Sequence, residues 1–159
     1  MKKFLSAVLA AITFVSISVP ALAAEAEVQP YTIIVSEQTV DLSDLPRAPY
    51  REGETVMVPL RKIGEALGYT VDWDAQTGAI TIDDEYIQKA TLYNGLEKAV
   101  FEGYLQIINM SREVENSAKT VVYDGYTYVP LEFFQEFLND TAVEGAKITI
   151  APSKCEITE

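Results

Sequence analysis

The sequence predicts an α+β fold of two related units, each a short helix packed on a curved antiparallel β-sheet. Three observations predict it. Val58-Pro59-Leu60 returns as Val129-Pro130-Leu131, 71 positions later. A turn signal and a β-rich run precede each copy. Apolar residues at helical spacing, and then a second hairpin, follow each copy.

The repeat extends beyond three letters. At the same offset Glu65 matches Glu136, Leu67 matches Leu138 and Thr70 matches Thr141, and Ile63 falls opposite Phe134. That makes six identities in the thirteen positions from 58 to 70, where random pairing gives roughly one. Two repeats are expected over about 31–83 and 86–151.

The elements follow in order. Tyr31 to Val35 and Thr39 to Leu42 read as a first pair of strands. Leu45-Pro46-Arg47-Ala48-Pro49 reads as an extended loop, because each proline restrains the residue before it. The first copy turns at Glu52-Gly53 and leaves through Thr55-Val56-Met57-Val58. The second runs in through Thr120 to Tyr123, turns at Asp124-Gly125 and leaves through Tyr126 to Val129. Asp-Gly between β-rich runs is a hairpin signal, and β-branched and aromatic residues suit a pleated, half-buried surface. Pro59 and Pro130 end the strands, since proline lacks the ladder N–H yet fits the first position of a helix. Leu60, Ile63 and Leu67, and then Leu131, Phe134 and Leu138, give each helix one apolar stripe. Gly68 and Asn139 stand at the closing positions, where a left-handed residue is tolerated. Hairpins then follow: Thr70 to Trp73 with Ala79 to Ile82, and Thr141 to Val143 with Lys147 to Ile150. Tyr86 to Tyr93 and Leu96 to Phe101 form a further hairpin around Asn94-Gly95.

Residues 1–23 read as a secretory signal peptide. Lys2 and Lys3 open it, an apolar run from Phe4 to Val19 follows, and Ala21-Leu22-Ala23 gives an A-x-A pattern, with cleavage at Ala23 or Ala24. The apolar run is shorter than a membrane span requires. The expected location is therefore secreted or cell surface, and the exported chain is not expected to be an integral membrane protein. The mature domain is expected over 24–151, with a polar tail at 152–159.

Charge and composition narrow the function. The whole chain carries 12 basic and 24 acidic residues, a net charge of −12. Without Lys2 and Lys3 the balance is 10 against 24, or −14. Such a surface repels phosphate backbones, so nucleic acid is not an expected partner. Cys155 is the one cysteine, so no intramolecular disulfide can form. The chain has no histidine. That removes the usual neutral-pH base, the Ser-His-Asp and Cys-His nucleophiles, and the common copper and zinc sites.

Several residues are candidates for sites. Asp72 and Asp74, with Asp83-Asp84-Glu85, are the densest carboxylates. They fit a solvated strand face and an acidic turn, a calcium site, or an acid–base pair. Trp73 lies in phase with Val71 and is expected to cover the core or its edge, with a ligand platform as the alternative. Tyr50, Tyr69 and Tyr104 are further aromatic candidates. Arg61, at a helix start, is poorly placed for the helix dipole and is expected to serve an ion pair, with Asp72, Asp74 or a neighbouring strand as partner. Asn109-Met110-Ser111 and Asn139-Asp140-Thr141 match the glycosylation pattern by coincidence.

Val56-Met57-Val58-Pro59-Leu60-Arg61, Glu65-Ala66-Leu67-Gly68, Val71-Asp72-Trp73-Asp74 and Ile80-Thr81-Ile82 together resemble the copper amine oxidase N-terminal-like domain, or stalk domain. The second copy is a degraded match, with Glu132 in place of Arg and no Trp-Asp pair. The resemblance covers about 31–151. It implies an appended module, separate from any copper-binding catalytic domain, with no cofactor of its own. The expected function is a non-catalytic secreted or cell-surface module binding a wall polymer, a glycan or a protein partner. No catalytic, cofactor-binding or metal residue is expected, and the ligand-binding residues are not identified by the sequence. The alternatives are a secreted carboxylate-dependent hydrolase and a self-associating structural surface subunit.

Overall fold

The computed structural model describes residues 30–104 and 111–152. The expected signal peptide, Asn109, Cys155 and the expected tail beyond Pro152 lie outside the described residues. Thirteen strands and two helices form the described part, in three sheets. The fold is mostly β-sheet with few helices.

The central sheet is built first by the sequence. β3 (Tyr50–Glu52) and β4 (Thr55–Pro59) form one hairpin, and β10 (Val121–Tyr123) and β11 (Tyr126–Pro130) form another. The order is β10-β11-β4-β3. β4 and β11 are antiparallel neighbours: Val58 faces Val129, Met57 faces Pro130 and Pro59 faces Tyr128. The Val58–Val129 pair therefore sits on a local two-fold axis. In the first hairpin the turn residues are Gly53-Glu54, one position later than the sequence suggests.

Both faces of the β4–β11 pair are buried, which explains the unbroken apolar run from Val56 to Leu60. Val56, Val58 and Val129 enter the main core with Ile33, Ile82 and Phe134. Met57 and Tyr128 join Ala118 in a smaller cluster. There the Tyr128 hydroxyl donates to the Arg47 carbonyl, and the Arg47 guanidinium lies 3.4 Å from the Tyr50 ring centre.

Helix α1 (Leu60–Leu67) buries Leu60, Ile63 and Gly64 and ends at Gly68 in the left-handed conformation, φ 85°. Helix α2 (Glu132–Glu136) is shorter than expected. It buries Phe133 and Phe134, and Phe137 follows into the core. Leu138, assigned to the apolar stripe by its spacing, is instead half exposed and takes the left-handed φ of 61°. Asn139 is already the first residue of strand β12 (Asn139–Glu144), so it does not close the helix. The helix stops early because the ladder opposite Pro152 begins at Asn139.

The second sheet runs β5-β6-β7-β8-β9, all antiparallel: β5 (Thr70–Trp73), β6 (Ala79–Asp83), β7 (Gln88–Tyr93), β8 (Lys98–Gly103) and β9 (Ser111–Glu115). The β7–β8 connection spans Asn94 to Glu97 instead of two residues. It is drawn out by hydrogen bonds from Gly95 N–H to the Thr120 carbonyl and from Thr120 N–H to the Leu96 carbonyl. The third sheet runs β12-β13-β1-β2, with β12 (Asn139–Glu144), β13 (Lys147–Pro152), β1 (Thr32–Val35) and β2 (Gln38–Thr39). β1 lies parallel to β13, so the expectation of wholly antiparallel sheet is corrected. The first and last strands of the domain meet there, a pairing no local turn signal announces.

Gly64 shows how closely α1 sits on the second sheet. A Cβ at this position would lie 2.8 Å from Val71 Cγ2 and 3.2 Å from Ile82 Cδ1. Val71 is buried and stiff at χ1, so it cannot swing aside. Replacing a helical glycine by alanine ordinarily stabilises by about 1 kcal/mol. Here overpacking reverses the sign: Gly64→Ala is expected to cost about 1–2 kcal/mol in urea unfolding, and a stabilised variant would show that α1 sits further off the sheet. Val58→Ala and Val129→Ala should each cost about 1–3 kcal/mol. Because the two residues face each other, the double variant should depart from additivity by about 0.5 kcal/mol or more. Strict additivity would show that the pair does not act as a unit.

Candidate functional site

Three of the carboxylates that stood out in the sequence, Asp74, Asp83 and Asp84, are occupied by their own turns. Asp74 Oδ1 accepts the Gln76 N–H at 2.8 Å, and Oδ2 accepts the Thr77 hydroxyl at 2.7 Å. These bonds hold its carboxyl below the usual range. Asp84 Oδ1 accepts three successive backbone N–H groups, of Tyr86, Ile87 and Gln88, at 2.9, 2.7 and 3.0 Å. Asp83 accepts the Glu85 N–H at 2.6 Å and the Tyr104 hydroxyl. That bond, with the neighbouring acids, pushes the Tyr104 phenol up to about 12. Glu85 takes the Thr70 hydroxyl at 2.9 Å. Asp72 stands on the outward face of β5, two residues from Asp74. Among the described residues no group of three or more His, Cys, Asp or Glu is placed to hold a metal ion.

Trp73 corrects one expectation. Its partner in β6 is Ile80, so it does point to the core face. Yet it is 63% exposed. β5 is an edge strand, and α1 packs over the other end of it, on Val71 and Ile82. The core stops one row short of Trp73.

The three tyrosine candidates do not converge. Tyr50 stacks near Tyr128 with ring centres 5.9 Å apart. Tyr69 packs on Phe137 and accepts from the Asn139 amide at 2.9 Å; burial raises its phenol above the ordinary value. Tyr104 is exposed where β5 begins and β6 ends, its hydroxyl spent on Asp83, the ladder partner of Thr70. That Asn139 is only 3% exposed, so its amide is not presented for modification. Arg61 does form an ion pair, but with Glu65 one turn on, at 3.7 Å, rather than with Asp72 or Asp74.

Sequence reasoning missed two concavities among the described residues, because each joins residues some 70 positions apart. The larger, about 480 Å³, lies between the β3–β4 hairpin, α2 and β12. Its floor is apolar: Val56, Leu131 and Val143. Its walls carry Thr55, Ser117, Gln135 and Thr141, with Arg51, Glu54 and Glu132 at hand. The Thr55 and Ser117 hydroxyls are 2.7 Å apart, and the Gln135 amide donates to Thr141. Glu132 accepts the Ser117 N–H. Arg51 Nε donates to the Tyr31 hydroxyl at 3.0 Å. Apolar floor and convergent polar walls are the general make-up of a ligand site.

The smaller cleft, about 230 Å³, lies where α1 meets the start of β11. Pro59, Arg61, Lys62 and Glu65 line it with Tyr126 and Thr127, and Lys62 pairs with Asp44 at 2.8 Å. Tyr126 and Thr127 stand 71 positions after Thr55 and Val56 of the larger cleft. Arg61 and Glu132 are likewise 71 positions apart, so the two clefts share residues at the repeat offset. The signal that could have found them was the offset itself, read as a pairing in space.

A family model described as Copper amine oxidase N-terminal domain matches residues 34–151. A curated protein of Brevibacillus choshinensis named protease inhibitor is 28% identical over 105 residues, covering 65% of this chain. The match covers 29% of that protein, so this chain spans under a third of its length. No solved structure matches significantly. With the Val58-Pro59-Leu60 strand–helix junction, the Gly68 cap and the hairpin around Asp74 all inside the matched span, the chain belongs to the copper amine oxidase N-terminal domain family.

Proposed function

We propose that this chain is a non-catalytic, secreted or cell-surface binding module made of two copies of one strand–proline–helix–hairpin block. A protein partner is favoured over a wall polymer or glycan. The observation that carries the reading is the large open cleft, with an apolar floor and hydroxyl and amide walls; the turn-capping carboxylates Asp74, Asp83 and Asp84 do not line it. The offset-71 identities and the local two-fold support duplication. The likeness to a protein named protease inhibitor supports a protein partner.

Purified mature chain should be retained on immobilised extracellular protein, and Val143→Glu in the cleft floor should weaken retention at least tenfold while far-UV circular dichroism stays native. Absence of retention on proteins, on peptidoglycan and on a glycan panel would end the reading.

The hydrolase alternative has one observation in its favour: Glu54 and Glu132 line the same cleft. Acid–base cleavage needs two carboxyls roughly 5–10 Å apart across the scissile bond. Against it, Glu132 already accepts the Ser117 N–H. Glu54→Gln and Glu132→Gln should leave retention within about threefold of the parent chain. Turnover of a glycan or peptide that both substitutions abolish would establish the enzyme instead.

Asp74 separates a structural carboxylate from a chemical one. Its folded pKa lies below 3.8. Its contribution is therefore complete above the unfolded value and is lost as pH falls through the lower, folded one. Asp74→Ala should lower Tm at pH 6, and the gap to the parent should close below about pH 3.8. Retention should not change. A gap that persists at pH 2 would assign the loss to something other than the charged cap.

A further inference from the structure

We propose that the large cleft captures the C-terminus of a protein partner, with Arg51 holding the terminal carboxylate and the last side chain lying on the apolar floor. This rests on the binding-module reading and names the part of the partner that is bound. Among the described residues Arg61 and Arg112 pair with acids, and Arg47 lies over the Tyr50 ring. Arg51 lines the cleft and forms no ion pair among the described residues. Its Nε donates to the Tyr31 hydroxyl at 3.0 Å, and its Nη1 donates to the Glu54 carbonyl at 3.4 Å. Both acceptors are neutral, so they fix the guanidinium without cancelling its charge. A guanidinium carries five N–H donors in a rigid fork. With two of them used, the rest lie on Nη1 and Nη2. That edge takes a carboxylate through two parallel bonds.

The rest of the cleft fits a chain end. Arg51 is the ladder partner of Val56, so the cation and the apolar floor are direct neighbours. A terminal residue carries its carboxylate and its side chain on one Cα, which matches that spacing. An Asp or Glu side chain carries the charge in place of the apolar group and leaves the floor uncovered. The floor is made of branched aliphatic side chains, Val56, Leu131 and Val143, so it suits Val, Leu or Ile as the last residue. A volume of about 480 Å³ takes a small ligand or a chain end, not a folded surface. The hydroxyls of Thr55, Ser117 and Thr141 and the Gln135 amide offer donors and acceptors to the main chain that precedes it. Glu54 and Glu132 also line the cleft, so its walls hold two acids against one arginine. A negative charge placed away from Arg51 is repelled. The ligand therefore carries one carboxylate, at its terminus, and no acid just before it. Backbone and carboxylate contacts supply affinity, and the floor supplies selectivity.

The test is calorimetric titration of the purified chain with the peptide acetyl-Gly-Thr-Val-Leu, bearing a free carboxylate, and with the same peptide as its C-terminal amide. Saturable binding of the acid is expected, with Kd on the order of 100 μM, and the amide should bind roughly tenfold more weakly or worse. Arg51→Gln should weaken the acid by the same factor and leave the amide unchanged, so that the two peptides become equal on that variant. Should Arg51→Gln not fold, the comparison of acid with amide on the parent chain decides alone. Equal affinity of acid and amide for the parent chain would overturn carboxylate capture, as would the lack of saturable binding. Tighter binding of acetyl-Lys-D-Ala-D-Ala, the probe for a wall-peptide end, would overturn the choice of a protein partner's terminus. Loss of carboxylate capture with retention on extracellular protein intact removes this inference only, whereas loss of all retention removes the wider reading.

Discussion

The antiparallel pairing of β4 with β11 is the constraint from which the remaining structure follows. It brings Val58 against Val129 and buries both faces of the pair, so no charged residue can be tolerated between Val56 and Leu60 or between Tyr128 and Leu131. The prolines at the strand ends keep the ladder from running on and launch the helices at once. Each helix therefore emerges at the rim of the central sheet, with its apolar stripe turned back over the core. The clefts arise where each helix start meets the strand start of the other hairpin. They are consequences of the pairing, not separate constructions.

Acidic residues then do local work at the surface. Asp74, Asp83 and Asp84 each accept backbone N–H groups that a tight turn leaves without ladder partners. This explains the density of carboxylates near the hairpin ends without any appeal to chemistry. The outward face of the second sheet is balanced separately, by Lys89–Glu102 and Lys98–Glu113 across neighbouring strands. Both pairs are largely exposed and contribute little to stability. Their effect is to keep that face soluble and its register fixed.

The hairpins at 70–83, the V-P-L junctions and the Gly68 cap were legible in the sequence because they are set within a few residues by period, proline and glycine. β9 was not legible. Ser111-Arg112-Glu113-Val114-Glu115 has no apolar alternation, and only Val114 packs against the core. It becomes a strand because β8 offers it a ladder, Arg112 stacks 4.5 Å from the Phe101 ring centre, and the same guanidinium reaches Glu136 at 2.7 Å. Leu138 and Trp73 failed for a related reason. Periodicity says which face a side chain takes, but whether that face is covered depends on where the neighbouring element ends.

By itself the sequence determined the α+β class, the strand–proline–helix order, the turns at Asp74 to Gly78 and Asp124-Gly125, the acidic surface and the lack of histidine chemistry. These follow from local sterics and composition, which need no knowledge of distant partners. Only the tertiary structure decided that β1 lies parallel to β13, that α2 stops at Glu136, that Trp73 stands exposed, and that two clefts join segments some 70 residues apart. Each of those depends on which surfaces meet in space, and burial and backbone pairing between distant segments leave no short-range trace in the chain.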